Sequence, residues 1–220
     1  MAPIAIGIAW LGGWPFVLFW TLAACIVLWE WTQLVTRSRN TVSSYTDFLV
    51  WMIAGLLYAG VVLLAPIILR RDPALGFVAI LFLFAVVWGT DIAAYFAGRA
   101  LGGPKLWAAV SPNKTWSGAL GGALGGVVAA LLVVTVAGLV IAPMLVLVAL
   151  VLSIASQAGD LLESALKRQF GAKDASDLIP GHGGLMDRLD GFLTAVLAAV
   201  MVGLLRGGFD GAAQGLLAWK

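Results

Sequence analysis

The chain has 220 residues, of which 62% are hydrophobic and 11% charged, with ten Trp and a net charge of +2. Its mean hydropathy is +1.03. Those values exclude a soluble domain, place the chain among polytopic helical membrane proteins and give no reason to expect a nucleic-acid partner.

Residues 2–11 are apolar but short, and Gly12, Gly13 and Pro15 interrupt the run. They read as a short helix or as half of a hairpin. No positive n-region precedes them, and the apolar segment that follows is long enough to stay in the bilayer, so no cleaved signal peptide is expected. A span needs roughly 20 apolar residues. Spans are expected near 14–34, 48–69, 75–97, 117–138, 141–166 and 189–206. The predicted fold is therefore all-α, a polytopic integral membrane protein with six or seven transmembrane helices. Cys25, the one cysteine, lies in an apolar run, so it forms no intrachain disulfide and reads as packing. No soluble domain fits between the spans, and the connection from Gly138 to Pro143 is uncharged.

Loop cations set the orientation. If the spans alternate, 35–47, 98–116 and 167–188 share a side. That side holds Arg37, Arg39, Arg99, Lys105, Lys114, Lys167, Arg168, Lys173 and Arg188, nine of the chain's 13 cations. Arg70, Arg71, Arg206 and Lys220 fall on the other. The bias puts the first side in the cytoplasm, and Asp91, Asp160 and Asp187 near the cytoplasmic ends of three helices. The chain divides into N-terminal helices over 1–85 and, over 86–220, helices that carry the chemistry and the polar cytoplasmic loops, all within one membrane domain.

Residues 157 to 190 hold most of the polar chemistry. Five of the 11 carboxylates lie from Asp160 to Asp187, with Asp190 beyond them and the single histidine, His182, between. Such a cluster is costly near lipid and calls for a function. Asp160, Glu163 and Lys167 share a helical stripe about 60° wide. Glu163 and Lys167 read as an ion pair or as functional groups, whereas Asp160 reads as a cation ligand. Asp187 and Asp190 open the last span, where first-turn acids suit the helix dipole. Capping would account for one of them. Three aspartates beside a glycine loop suit Mg²⁺, while one His and one Cys argue against structural zinc. His182 sits among Gly181, Gly183 and Gly184, whose backbone N–H groups could approach phosphates. A phosphate contact, a proton donor and a loop-ordering bond all remain open for it.

A second polar island reads Ser111-Pro-Asn-Lys114-Thr115-Trp-Ser117-Gly118. Thr115 is placed to cap the following helix, and that N-terminus beside Lys114 makes an anion site, or an ordinary cap with a positive-inside lysine. Upstream, Asp91 and Tyr95 share a helix face with Arg99 one turn on, as a site or as a polar helix end with a snorkelling arginine. Gly118, Gly122 and Gly126 align on one face and Gly121 and Gly125 on the next. Close helix packing competes there with a phosphate loop, and no Walker lysine follows.

The run Ser164-x-Leu-Lys167-Arg168-x4-Lys173-Asp174-x-Ser176-x2-Ile179-Pro180-x-His182-Gly-Gly-Leu185-x-Asp187-Arg188-Leu-Asp190 resembles the signature of the phosphatidate cytidylyltransferase (CDP-diacylglycerol synthase) family. Gln157-x-Gly159-Asp160-Leu161-x-Glu163, Ser111-Pro-x-Lys114-Thr115 and Asp91-x-x-Ala-Tyr95-x-x-Gly98-Arg99 extend the likeness over about 88–191, and Trp29-Glu30-Trp31 looks like a family feature near the N-terminus. The chain departs at Asn113, Ser117 and Gly191, where a lysine, a glutamate and a serine are usual. It is also short for that family, which predicts one or two fewer N-terminal helices.

The resemblance implies CTP and phosphatidic acid as substrates and CDP-diacylglycerol and pyrophosphate as products. It implies Asp160, Asp187 and Asp190 as metal-binding catalytic residues, with Mg²⁺ at one of two cation sites. Lys167, Arg168 and His182 would be catalytic as well. Ser111, Lys114, Thr115, Lys173, Asp174, Gly183, Gly184, Arg188, Asp91 and Tyr95 would bind substrate. The bilayer is the implied partner, with room for a homodimer, and the implied setting is a bacterial inner membrane with the site facing the cytoplasm. The competing readings are an ion-coupled transporter, which predicts midplane acids and discontinuous helices, and another CTP-dependent lipid phosphotransferase.

Overall fold

The computed structural model describes residues 2–38, 41–176, 178 and 183–219. In chain order the elements are α1 (Ala2–Leu11), α2 (Gly13–Arg37), α3 (Tyr45–Arg70), α4 (Gly76–Leu101), β1 (Lys105–Trp107), β2 (Ser111–Thr115), α5 (Trp116–Val136), α6 (Pro143–Gln169), α7 (Met186–Gly207) and α8 (Ala212–Leu217). Among the described residues six helices, α2 to α7, are long and apolar enough to cross a membrane. Each expected span falls on one of them. The largest shift is at α4, which runs on to Leu101 and so carries Gly98 and Arg99 in its last turn.

α1 settles the open choice at the N-terminus. Its ten residues rise about 15 Å, half a bilayer. Gly12 and Gly13 then take φ of 62° and 52°, a backbone that favours glycine, and turn the chain back into α2. Arg70 Nε donates to the Ala9 carbonyl at 2.8 Å, which satisfies an orphan acceptor at the end of α1. The unit is a helical hairpin with one short arm.

The glycines of α5 serve packing. Gly118, Gly122 and Gly126 are buried, and a Cβ on each would stand 3.0, 2.9 and 3.0 Å from the carbonyls of Ala94, Thr90 and Val86 on α4. With no side chain between them the two backbones approach closely, as small-residue helix pairs do. Thr90 and Ser153 share a 2.6 Å hydroxyl bond that ties α6 to this pair. The main core lies between α2, α4, α6 and α7 around Phe82, Leu83, Leu152 and Val196, with Trp20 stacked on Phe192 at 5.1 Å. A smaller core of Trp31, Leu34, Val35, Phe170, Ala175 and Met186 lies under the 170–185 loop.

The segment expected as plain loop over 98–116 contains an antiparallel ribbon, Lys105 opposite Thr115 and Trp107 opposite Ser111. Strands of three and five residues are too short for alternation to register, and Pro104 and Pro112 look like loop punctuation in the sequence. Thr41 of the 38–44 loop donates to the Gln169 carbonyl at 2.7 Å, so that loop and the end of α6 lie together. At the opposite end Arg71 pairs with Asp210 at 3.5 Å, and Asp72 accepts from the Gln214 N–H at 3.3 Å. The loops thus segregate as alternating spans require.

Candidate active site

Four elements converge at the ribbon end of the bundle. α4 supplies Asp91, Tyr95 and Arg99; β2 supplies Lys114; α6 supplies Asp160; α7 supplies Asp190. Asp190 stands within electrostatic reach of Asp160, Glu163 and Asp91. Asp91 in turn feels the charges of Asp160 and Lys114. Lys114 Nζ pairs directly with Asp160 Oδ2, both side chains about 30% exposed (30% and 27%). Arg99 donates to the Tyr95 hydroxyl at 2.8 Å. Thr115 caps α5 by accepting from the Gly118 N–H at 3.1 Å, which holds the ribbon against the helix start.

Asp187 belongs to a different set of partners from Asp190. Its Oδ1 accepts from Lys167 Nζ. Its Oδ2 accepts from the Ala175 and Gly184 N–H groups at 2.9 and 2.8 Å. Lys167 also donates to Glu163 at 3.1 Å, and the Tyr58 hydroxyl donates to Glu163 at 2.8 Å. Glu163 and Lys167 are buried. Of the two readings for this pair, the ion pair is therefore realised, and it extends into a chain Tyr58–Glu163–Lys167–Asp187 across three helices. Gly184's N–H is committed within it. Gly183 has φ of 77°, and a Cβ there would stand 2.8 Å from Asp187 Oδ2, so the glycines make room for the carboxylate.

The remaining expected residues lie around this centre. Arg168 is exposed and donates to the Ala172 carbonyl at 3.3 Å. Lys173 and Asp174 are exposed on the loop, Ser111 opens β2 opposite Trp107, and Arg188 is exposed beside Asp187. His182, with Pro180 and Gly181, lies outside the described residues. Nothing in the sequence singles out Tyr58, and Glu30 stands out there only within Trp29-Glu30-Trp31. Glu30 is fully buried in α2 and accepts from Ser176 Oγ, Leu185 N and Met186 N at 2.6, 2.9 and 2.7 Å. The signal that could have found it is a single acid in the middle of an apolar helix.

Two cavities flank the acids. One of about 640 Å³ is lined by Tyr95, Arg99, Lys114, Gln157, Asp160 and Asp91. The other, about 400 Å³, lies between α1, α2, α4 and α7; its walls include Ala5, Trp20, Ala23 and Phe84, and its polar end is Asp91, Arg188 and Asp190. Asp91 lines both.

Residues 40–205 match the sequence model of the Cytidylyltransferase family. The chain belongs to that family. A Brucella suis biovar 1 (strain 1330) protein named phosphatidate cytidylyltransferase is 43% identical over 93% of this chain and 90% of its own length. Proteins of that name from Bacillus subtilis (strain 168) and Staphylococcus epidermidis (strain ATCC 12228 / FDA PCI 1200) are 40% identical over 78% of this chain and 62% of their own length, and 47% over 52% and 44%, respectively. As a cytidylyltransferase family member, the chain is a nucleotidyltransferase, and its six apolar helices make it an integral membrane protein. The matched region contains every acid of the central cluster and leaves out Glu30.

The acids offer hard oxygen donors, the kind Mg²⁺ selects. Among the described residues no three acidic, histidine or cysteine side chains form a metal cage by themselves. Mg²⁺ usually takes one or two carboxylates and completes its shell with water and substrate phosphates, so Asp160 and Asp190 suit it without a full protein cage.

Proposed function

We propose that the chain transfers the cytidylyl group of CTP to phosphatidic acid, yielding CDP-diacylglycerol and pyrophosphate. The observation that carries this reading is the placement of the acids between a cavity that holds Arg99 and Lys114 beside Asp160 and a mostly apolar one, with Asp91 in both walls. A water-soluble nucleotide and a membrane lipid need such adjoining chambers. The relatives' name supplies the chemistry. Each of the six long helices runs unbroken, whereas the transporter reading expected discontinuous ones.

A phosphate oxygen of phosphatidic acid attacks the α-phosphorus of CTP, that P–O bond forms, and the bond to the β-phosphate oxygen breaks as pyrophosphate leaves. A phosphate monoester at neutral pH is already largely ionised, so no strong general base is needed. Two anions must meet, so charge neutralisation and alignment dominate. Mg²⁺ bound by Asp160 and Asp190 would supply positive charge at the transferring group. Lys114 and Arg99 receive the triphosphate in the polar cavity, with Arg168 and Lys173 at its approach. Arg188 meets the lipid phosphate at the mouth of the apolar cavity, whose walls take the acyl chains. Asp187 contributes by ordering the loop through Lys167, Ala175 and Gly184.

Formation of CDP-diacylglycerol by the purified chain, with CTP, phosphatidic acid and Mg²⁺ omitted in turn, tests the reading. Product that forms without phosphatidic acid, or none with all three present, would end it. Within it, Lys114→Ala is expected to raise the KM for CTP about ten- to thirtyfold, the size of one or two charge-assisted phosphate contacts, and to change that for phosphatidic acid less. Steady-state kinetics with each substrate varied in turn checks this, and the reverse pattern would assign the ribbon to the lipid headgroup.

The site end faces the cytoplasm in this proposal, because the sequence segments 35–47, 98–116 and 167–188, which alternating spans put on that side, carry nine of the 13 cations. Lys173 is exposed, and Cys25 is exposed on α2. A Lys173→Cys variant in a Cys25→Ser background is therefore expected to resist a membrane-impermeant maleimide in intact cells and react after lysis. Labelling of intact cells would invert the topology.

A further inference from the structure

α7 begins without a cap of its own. Its N-cap residue is Leu185, which makes no side-chain cap, and the first-turn Asp187 accepts from the Gly184 N–H ahead of the helix rather than from the Leu185 or Met186 N–H. The first N–H groups of a helix lack intrahelical acceptors and need a partner when buried. Here the partner comes from another helix: Glu30 of α2 accepts the Leu185 N–H on Oε1 and the Met186 N–H on Oε2. Ser176, from the middle of the connecting loop, donates its hydroxyl to the same Oε1 at 2.6 Å. All three donors come from the segment 176–186, which lies 146 to 156 residues away in sequence.

The surroundings hold the carboxylate in place. Glu30 has no exposed surface. Its neighbours on α2, Trp31 and Leu34, pack under the loop against Phe170, Ala175 and Met186. Gly184 lies against it so closely that a Cβ would stand 2.9 Å from Glu30 Cδ and from Ser176 Oγ. A buried charge is tolerable when its lone pairs are used, and these are. Negative charge at a helix N-terminus also suits the dipole.

We propose that Glu30 is a positioning residue for cytidylyl transfer. Its carboxylate fixes the first turn of α7, so that Asp187 meets Lys167 and the loop N–H groups while Asp190, one turn on, faces the cavity that Asp91 also lines. The inference rests on the cytidylyl-transfer reading, and the parent chain assayed alongside separates the two, since a parent without turnover would sink that reading rather than this one. Gln at position 30 would present an amide NH₂ to at least one N–H or O–H donor, so it cannot reproduce the arrangement.

Glu30→Gln is expected to lower kcat roughly ten- to hundredfold, in keeping with loss of charge-assisted bonds at a buried site. The KM for CTP should stay within about threefold and the thermal midpoint in detergent within a few degrees, because the nucleotide chamber and the main core are untouched. Ser176→Ala, which removes one of the three donors, should lower kcat by a smaller factor. The double variant should be no worse than Glu30→Gln alone, because both changes act through one contact. Parental kcat in Glu30→Gln, or losses that multiply in the double variant, would overturn the proposal. If Glu30→Gln does not yield folded protein, parental kcat in Ser176→Ala overturns it by itself.

Discussion

Asp190→Asn is expected to reduce kcat for CDP-diacylglycerol formation about a thousandfold, roughly 4 kcal/mol of barrier. Asn keeps the shape of the side chain and removes its charge. That charge stands within electrostatic reach of Asp91, Asp160 and Glu163, at the polar end of the apolar cavity. Three or four acids gathered there repel one another, which opposes folding and favours any cation they share. The variant should therefore fold at least as well as the parent while it fails to turn over. Turnover against Mg²⁺ concentration and a thermal unfolding trace in detergent measure both sides. A variant that kept more than about a tenth of the parent's kcat, a loss under roughly 1.4 kcal/mol, would remove Asp190 from the reaction. The same change at Asp187 should cost stability as well as turnover, because Asp187 is the acceptor for Lys167 and two loop N–H groups.

Lys167→Met carries the largest expected effect on stability. Lys167 is the cation between Glu163 and Asp187, and all three side chains are at most 9% exposed. Met matches its length and packs well, but it leaves two buried carboxylates without their shared countercharge. Breaking a buried pair by removing one partner costs about 3–5 kcal/mol. The protein should lose most of its thermal resistance in detergent, and turnover should fall with it. Adding Glu163→Gln to Lys167→Met should recover part of the loss, because Gln still accepts from the Tyr58 hydroxyl and removes one unpaired charge. A Lys167→Met protein that melts with the parent, or a double variant weaker than the single one, would show that the pair contributes little to folding.

Much of the fold was legible in the sequence because transmembrane helices announce themselves locally. Each of α2 to α7 is a run of apolar residues of bilayer length, and that property belongs to one segment at a time. Thr115 was readable as a cap because a cap bonds its own helix. The Glu163–Lys167 pair was readable, as one of two options, because its partners are one turn apart. Gly118, Gly122 and Gly126 likewise announced a face for close packing, although not that α4 would be the helix it meets.

The sequence by itself determined six or seven spans, the clustering of cations at one end and the residue types of the site, since length, hydropathy and one-turn spacing act along a single helix. Only the tertiary structure decided which charge meets which. It paired Lys114 with Asp160 from different elements, gave Asp187 to Lys167, set Asp190 within electrostatic reach of Asp160 and Asp91, and brought Glu30 to the start of α7. The physical reason is that these partners depend on which helices are neighbours and how each is rotated about its axis. Two acids three residues apart on α7 share a helix face but differ by about 60° in direction and about 4.5 Å in height, and only the packed bundle determines what stands at each position.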